Sequence, residues 1–287
     1  MNVMTAKLLF NYHSHTQLSD GKAVFSDYIE EALSQGFNSI GFSDHAPVPF
    51  PSSWNMNHDN LAAYLQHIND LKIAYSDRLQ IYAGLEVDYF QPYHDQIYAM
   101  AGVDKLDYYI GSVHYLDFLH EGQPWCIDTS RDEFETGFNQ IFHGDGRLLY
   151  RRYYEAVLQM IETWKPPVIG HLDKIKMYNH IRPFFDDHEP AYRDAVMQVL
   201  ELIKQYDLFI ELNMRGFYKH PERFLYPGKW ILREASRMGI RLIVSSDCHR
   251  REELSAGFSE ALQILKEANF RSVWFLNNKQ WHEWPLE

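Results

Sequence analysis

The hydrophobic pattern of the chain switches between two periods. Short β-branched or aromatic runs alternate with longer stretches in which apolar residues recur three and four positions apart, which is the pattern of βα units. The spacing predicts strands at Leu8–Tyr12, Ser39–Phe42, Gln80–Glu86, Tyr108–Val113, Pro167–Gly170, Leu208–Leu212, Arg241–Ser245 and Ser272–Phe275. It predicts helices at Phe25–Ser34, Leu61–Tyr75, Tyr153–Trp164, Tyr192–Tyr206, Trp230–Arg237 and Phe258–Ala268. Gly36 and Gly239 each follow a helix and precede a strand, so the recurring unit is helix, glycine, strand.

Two segments break this rhythm. Leu116–Arg152 carries Gly122, Gly137, Gly144 and Gly146 among mixed charges and reads as an insertion or long loop with a little helix. Ala46–Asn60 holds Pro47, Pro49 and Pro51 and a Trp54 expected to be exposed. Long loops in compact domains often act as lids or substrate walls. Nothing resembling a linker divides residues 1–287, a length that supports one α/β domain with a sizeable core. No stretch approaches the roughly 20 apolar residues of a membrane span, and Met1–Phe10 lacks the apolar run of a signal peptide. The expectation is a soluble cytoplasmic protein.

Charge narrows the partners. With 27 Lys and Arg against 39 Asp and Glu the formal net charge is -12, which argues against coating nucleic acid or an anionic membrane. A small ligand in a local site is expected instead. Two cysteines, Cys126 and Cys248, cannot make a disulfide framework, whereas 15 histidines are an unusually rich supply.

The position of those histidines carries the chemistry. His13 and His15 end the first predicted strand as H-x-H, so an extended backbone puts both on one face, and Asp20 follows in a turn. His45 follows the second strand and Glu86 ends the third. His114 and His171 follow the next two, and Asp247 and His249 follow Arg241–Ser245. Each alone is more often a packed or surface residue. Nine potential ligands at the C-terminal ends of six strands are another matter, because a parallel barrel gathers those ends on one face. Imidazole and carboxylate donors suit zinc, manganese or iron(II). Nine are too many for one tetrahedral ion and fit two or three divalent ions sharing a carboxylate, a cluster that activates water and polarises a phosphoryl oxygen. His58, His67, His94, His120, His143, His180, His188, His220 and His282 fall mostly in helices or polar loops and read as structural or surface residues. Cys248, between Asp247 and His249, points the other way and reads as a small buried side chain.

Taken together, His13-Ser14-His15-Thr16, Ser19-Asp20-Gly21, Phe42-Ser43-Asp44-His45, Gly84-Leu85-Glu86, Gly111-Ser112-Val113-His114, Gly170-His171-Leu172-Asp173 and Ser246-Asp247-Cys248-His249 resemble the motifs of the PHP (polymerase and histidinol phosphatase) family. They are most similar to its monofunctional histidinol-phosphate phosphatase branch, which also has Asp at the position of Asp20 and a long segment like Leu116–Arg152. The resemblance implies a single distorted (β/α)7, TIM-like barrel with a trinuclear metal site at the C-terminal ends of its strands. It assigns His13, His15, Glu86 and Asp247 to one ion, Asp20, His45 and His249 to a second, and Glu86, His114 and His171 to a third, with Glu86 bridging. The implied reaction is hydrolysis of L-histidinol phosphate to L-histidinol and phosphate, a step of histidine biosynthesis. Another small phosphomonoester, or a noncatalytic metal-binding barrel, is the alternative. An amidohydrolase-type barrel shares H-x-H but wants a strand-end lysine, for which no match is found.

Three ligand carboxylates contribute about -3 and three divalent ions about +6, so such a site attracts a phosphate dianion. Arg215, just past Leu208–Leu212, is the first candidate for a phosphate clamp, since guanidinium matches two phosphate oxygens. Lys176, where related enzymes favour Arg, and Arg250 are second choices. Phe50, Trp54, Tyr115 and Phe217 lie next to the ligand motifs as possible aromatic walls.

Overall fold

The computed structural model describes residues 10–119, 122–180 and 183–286. Leu8 and Leu9 of the first predicted strand, and His120, lie outside the described residues. The chain runs through strand β1 (Phe10–Asn11), helix α1 (Phe25–Gln35), β2 (Ser39–Phe42), α2 (Leu61–Ala74), β3 (Gln80–Ala83), β4 (Glu86–Asp88), α3 (His94–Ala101), β5 (Ile110–Ser112), β6 (Tyr115–Phe118) and β7 (Pro124–Cys126). It continues with α4 (Arg131–Phe142), α5 (Gly146–Trp164), β8 (Val168–Ile169), α6 (Pro190–Gln205), β9 (Phe209–Asn213), α7 (Arg215–Lys219), α8 (Lys229–Met238), β10 (Arg241–Ser245), α9 (Phe258–Glu267), β11 (Ser272–Asn277) and β12 (Gln280–Pro285).

Parallel pairing orders β1, β2 and β3 in one sheet, and β4, β5, β8, β9 and β10 in another. β3 passes through Gly84 and Leu85 into β4 as one segment, and a parallel bridge between His45 and Glu86 continues the β2 side of that seam. Closure comes from beyond the strand ends, where the His15 amide donates to Cys248 O at 2.9 Å and the Cys248 amide to His13 O at 3.2 Å. Seven parallel segments thus form the (β/α) barrel, and the two closing bonds lie inside the H-x-H and Asp-Cys-His motifs.

Helix α8 covers the barrel with one apolar stripe: Ile231, Leu232 and Ala235 are its buried positions, spaced as a helical face requires. Gly36 and Gly239 take φ of +79° and +65° at the C-caps, a conformation that costs glycine no Cβ clash. Inside the barrel, the Tyr108 hydroxyl donates to Tyr12 O at 2.6 Å, and its ring packs so closely on β2 and the β3–β4 junction that a Cβ at Gly41 or Gly84 would overlap it.

Ser272–Phe275 departs from expectation. It is a strand, but it pairs antiparallel with β12 in a separate hairpin that lies across the starts of the barrel strands, with Trp281 against Phe209 at 4.6 Å and the Leu276 amide on the Tyr12 hydroxyl at 2.8 Å. The Leu116–Arg152 segment contains more order than a loop: the β6–β7 hairpin, all of α4, and the start of α5, which begins at Gly146 rather than Tyr153. Its helix starts were written locally, since Ser130 and Glu133 form a reciprocal capping box and Asp145 caps α5 by accepting from the Arg147 and Leu148 amides.

Candidate metal centre

All nine strand-end residues converge. His13 and His15 extend β1, and Glu86 and Asp88 share one face of β4, so the two-residue repeat of extended chain aims each pair inward, whereas Asp247 and His249 follow β10 through a turn. Asp247 has φ of +51°, a left-handed conformation uncommon outside glycine. Its carbonyl accepts from Arg215 Nη1 at 2.8 Å and its Oδ2 from Asn213 Nδ2 at 3.0 Å, contacts that hold the turn.

Glu86 sits at the centre. One oxygen lies 3.2 Å from His13 Nε2, 3.1 Å from His45 Nδ1 and 3.6 Å from His15 Nε2, and the other is 2.9 Å from His171 Nε2. A second cluster forms where Asp20 meets His249 Nε2 at 2.9 Å, His15 at 3.7 Å and His45 at 3.8 Å. Asp247 lies 3.4 Å from His15 Nε2. Four groups result, His13–His15–Asp247, His15–Asp20–His45–His249, His45–Asp88–His114 and Glu86–His114–His171, linked through His15, His45 and His114 and each with donor atoms within 4.8 Å of one another.

The donor atoms fit divalent ions. Both ring nitrogens of His15, His45 Nδ1 and Asp20 Oδ1 are buried without a hydrogen-bond partner among the described residues, a costly arrangement that coordination would relieve, through one nitrogen of each ring. Charge compensation within the chain points the same way. Burial resists protonation of His13, yet Glu211, Asp247 and Glu86 outweigh it and hold its pKa well above the ordinary histidine value. Burial likewise resists protonation of His114, but Asp88 and Glu86 raise its pKa to about 9. Burial favours the neutral acid at Glu86, and His13, His45 and His114 override it and keep the carboxylate ionised. Burial pushes His45 the other way, well below its ordinary value.

Two buried carboxylates behind the ligands escaped the sequence reading. Glu211 on β9 lies 2.8 Å from His13 Nδ1 and accepts from the His171 amide at 2.7 Å and Ser245 Oγ at 2.5 Å. Asp88 lies 2.7 Å from His114 Nδ1. Their signal was present: a carboxylate in the apolar run Phe-Ile-Glu-Leu-Asn, and another two residues beyond Glu86, where strand periodicity returns to the same face. Asp44, inside one of the quoted motifs, is also fully buried and holds the Asp20 loop by accepting from the Thr16 amide at 2.7 Å and Ser19 Oγ at 2.6 Å.

Seven of the nine strand-end residues, all but His13 and His15, line a cavity of about 630 Å³, within the range of small-molecule sites. Arg215 lines it and reaches His249 Nδ1 at 2.8 Å. The other two candidate cations lie elsewhere. Lys176 is bound to Asp173 Oδ2 at 2.5 Å over the Tyr226 ring, and Arg250 is exposed; neither lines the cavity. Lys174, two residues before Lys176, lines it instead, buried and 2.9 Å from Asp128 Oδ2. Burial opposes its charge, but Asp128 and Asp247 hold its pKa above the ordinary lysine value. Of the expected aromatic walls, Trp54 is half-buried rather than exposed and lines the cavity, edge-on to His45 with centroids 4.3 Å apart and stacked on Tyr115. Phe50 packs behind Tyr115, and Phe217 lies under Arg223, away from the cavity.

Comparison with known proteins places these features in a family context. The PHP domain matches residues 11–215. The probable histidinol-phosphatase of Deinococcus radiodurans is 29% identical over 275 residues, covering 94% of this chain and 98% of that protein. The histidinol-phosphatase of Bacillus subtilis is 28% identical over 253 residues, covering 82% of this chain and 91% of that protein. Among solved structures, the histidinol phosphate phosphatase of Lactococcus lactis, complexed with zinc, L-histidinol and phosphate, superposes with a TM-score of 0.70 at 20% identity, covering 95% of this chain and 98% of that one. At that identity the likeness establishes the shared fold.

Proposed function

The chain belongs to the PHP domain family, and on that footing we propose that it is a metal-dependent phosphatase that hydrolyses L-histidinol phosphate to L-histidinol and inorganic phosphate, in histidine biosynthesis. The observation that carries the reading is the clustering of nine buried or half-buried imidazole and carboxylate side chains, seven of which line a cavity that also presents Arg215 and Lys174. His13, His15, Glu86 and Asp247 hold one ion, Asp20, His45 and His249 a second, and Glu86, His114 and His171 a third, with zinc, manganese or iron suited to these donors. Divalent ions bound there supply an activated water and polarise the phosphoryl oxygens.

The chain's own residues do the rest. Arg215 and Lys174 lie on the same cavity as the ligands and neutralise phosphoryl oxygens, the guanidinium offering parallel donors. Glu211 and Asp88 hold His13 and His114 by their Nδ1 atoms and so aim Nε2 into the site. Trp54 supplies an apolar face, while Asp128 and Glu133 on the cavity wall offer acceptors for the ammonium and imidazole of histidinol. In the net reaction, a water oxygen bonds to phosphorus, the ester P–O bond breaks and the departing alkoxide takes a proton.

Turnover of histidinol phosphate against a panel of nucleotide and sugar monophosphates tests the assignment. A preference of at least tenfold in kcat/KM is expected. Equal turnover across the panel would leave a phosphomonoesterase of other specificity.

A further inference from the structure

Outside the nine-residue centre, one other group among the described residues has metal-ligand chemistry. His180, His220 and Glu222 bring two imidazoles and a carboxylate together with donor atoms within 4.8 Å of one another. Sequence reading had placed both histidines among the surface or structural residues.

Three observations separate this group from an ordinary aromatic cluster. Every buried histidine nitrogen without a hydrogen-bond partner among the described residues belongs to His15, His45 or His171, with one exception, His180 Nδ1. Nδ1 lies on the other side of the ring from Nε2, which faces Glu222, and a proton on Nδ1 leaves Nε2 as the donor atom. Next, His180 Nε2 and Glu222 Oε2 are 3.4 Å apart, longer than a good charge-assisted hydrogen bond. Two ligands each about 2.05 Å from a tetrahedral zinc sit about 3.3 Å apart. Finally, Phe224 packs against both rings, 4.8 Å from His180 and 4.7 Å from His220, and so restricts their orientation without occupying their nitrogens.

We propose that His180, His220 and Glu222 form a separate peripheral site for a zinc-like divalent cation at the rim of the catalytic cavity. Two histidines and a carboxylate leave one position of a tetrahedral ion for water, a donor set that zinc accepts. The place in the fold gives the ion a role. His180 lies in the segment between β8 and α6 that also carries His171 and Lys174, while His220 and Glu222 follow α7, the helix that starts at Arg215. An ion held here ties the loop bearing Lys174 to the one bearing Arg215, across the mouth of the cavity. Binding is independent of which phosphomonoester the enzyme takes.

The test is zinc content after equilibrium dialysis of the full-length enzyme against buffered zinc, comparing wild type with His180→Ala and Glu222→Gln. Wild type is expected to retain one more equivalent of zinc than either variant, with turnover at limiting zinc unchanged in all three. Cobalt in place of zinc should show the same missing equivalent as a loss of visible absorption. Turnover doubles as the check on folding, and Glu222→Gln, at a half-exposed side chain, keeps the shape while removing the charge. Equal metal content in folded, active variants and wild type overturns the site, whatever the substrate proves to be.

Discussion

Glu211 Oε2 lies 2.8 Å from His13 Nδ1, and both side chains are fully buried. Donation of Nδ1–H to this carboxylate turns Nε2 of His13 toward Glu86 and Asp247, so Glu211 fixes the orientation that His13 would need as a metal ligand. Glu211→Gln keeps the volume but removes the charge. Zinc affinity of the variant, measured by competition with a chromophoric chelator, is expected to fall about 10- to 100-fold, with much of the turnover recovered at saturating zinc. An unchanged affinity would show that Glu211 is only structural.

Removing the divalent ions should cost stability as well as activity. Asp20, Glu86 and Asp247 share a small volume with histidines whose nitrogens lack partners, so ligand binding to the native state alone raises the unfolding midpoint. Treatment with a chelator is expected to abolish hydrolysis and lower Tm, and added zinc to restore both. His13→Ala together with His15→Ala should abolish hydrolysis even with metal present.

Arg215 holds Asp247 and His249 while facing the cavity. Both contacts use one guanidinium nitrogen, Nη1, and lysine has no second nitrogen to offer a bound phosphate. Arg215→Lys is expected to lower kcat/KM by roughly 100-fold with zinc content retained. Wild-type kinetics in this variant would move the phosphate clamp to Lys174.

Asp107 ties three elements together. It accepts from the Ala83 amide at 2.8 Å, Lys72 Nζ at 2.5 Å and Lys279 Nζ at 2.8 Å. Burial favours its neutral form, but the two lysines prevail and lower its pKa. A depressed folded-state pKa gives stability that is present above the unfolded carboxylate value and lost as pH falls through the folded value. Asp107→Asn should therefore destabilise by about 1–3 kcal/mol at pH 7, with the gap to wild type closing below about pH 4. Denaturant titrations at both pH values read this directly; a gap independent of pH would refute the charge argument.

Packing at the barrel interior gives a last prediction. Gly41→Ala places a methyl group into the Tyr108 ring, which is pinned by its hydrogen bond to Tyr12 O. A loss of about 1–3 kcal/mol is expected from overpacking, and Tyr108→Leu should relieve part of it in the double variant.

The residues themselves determined the βα rhythm and the inward grouping of the ligands. Strands of period two with a histidine or carboxylate at each end are local patterns, and parallel pairing leaves those ends one common face. Local signals also existed for elements that were passed over, such as the Ser130–Glu133 capping box of α4. Tertiary structure decided which cation reaches the cavity, because Lys174 and Lys176 are chemically alike and separated by two positions of a short helical turn. It decided that Ser272–Phe275 pairs with β12, since strand propensity does not name a partner. It decided too that His180 meets His220 and Glu222, forty residues further along, because contacts between loops depend on how the strands beneath them are ordered.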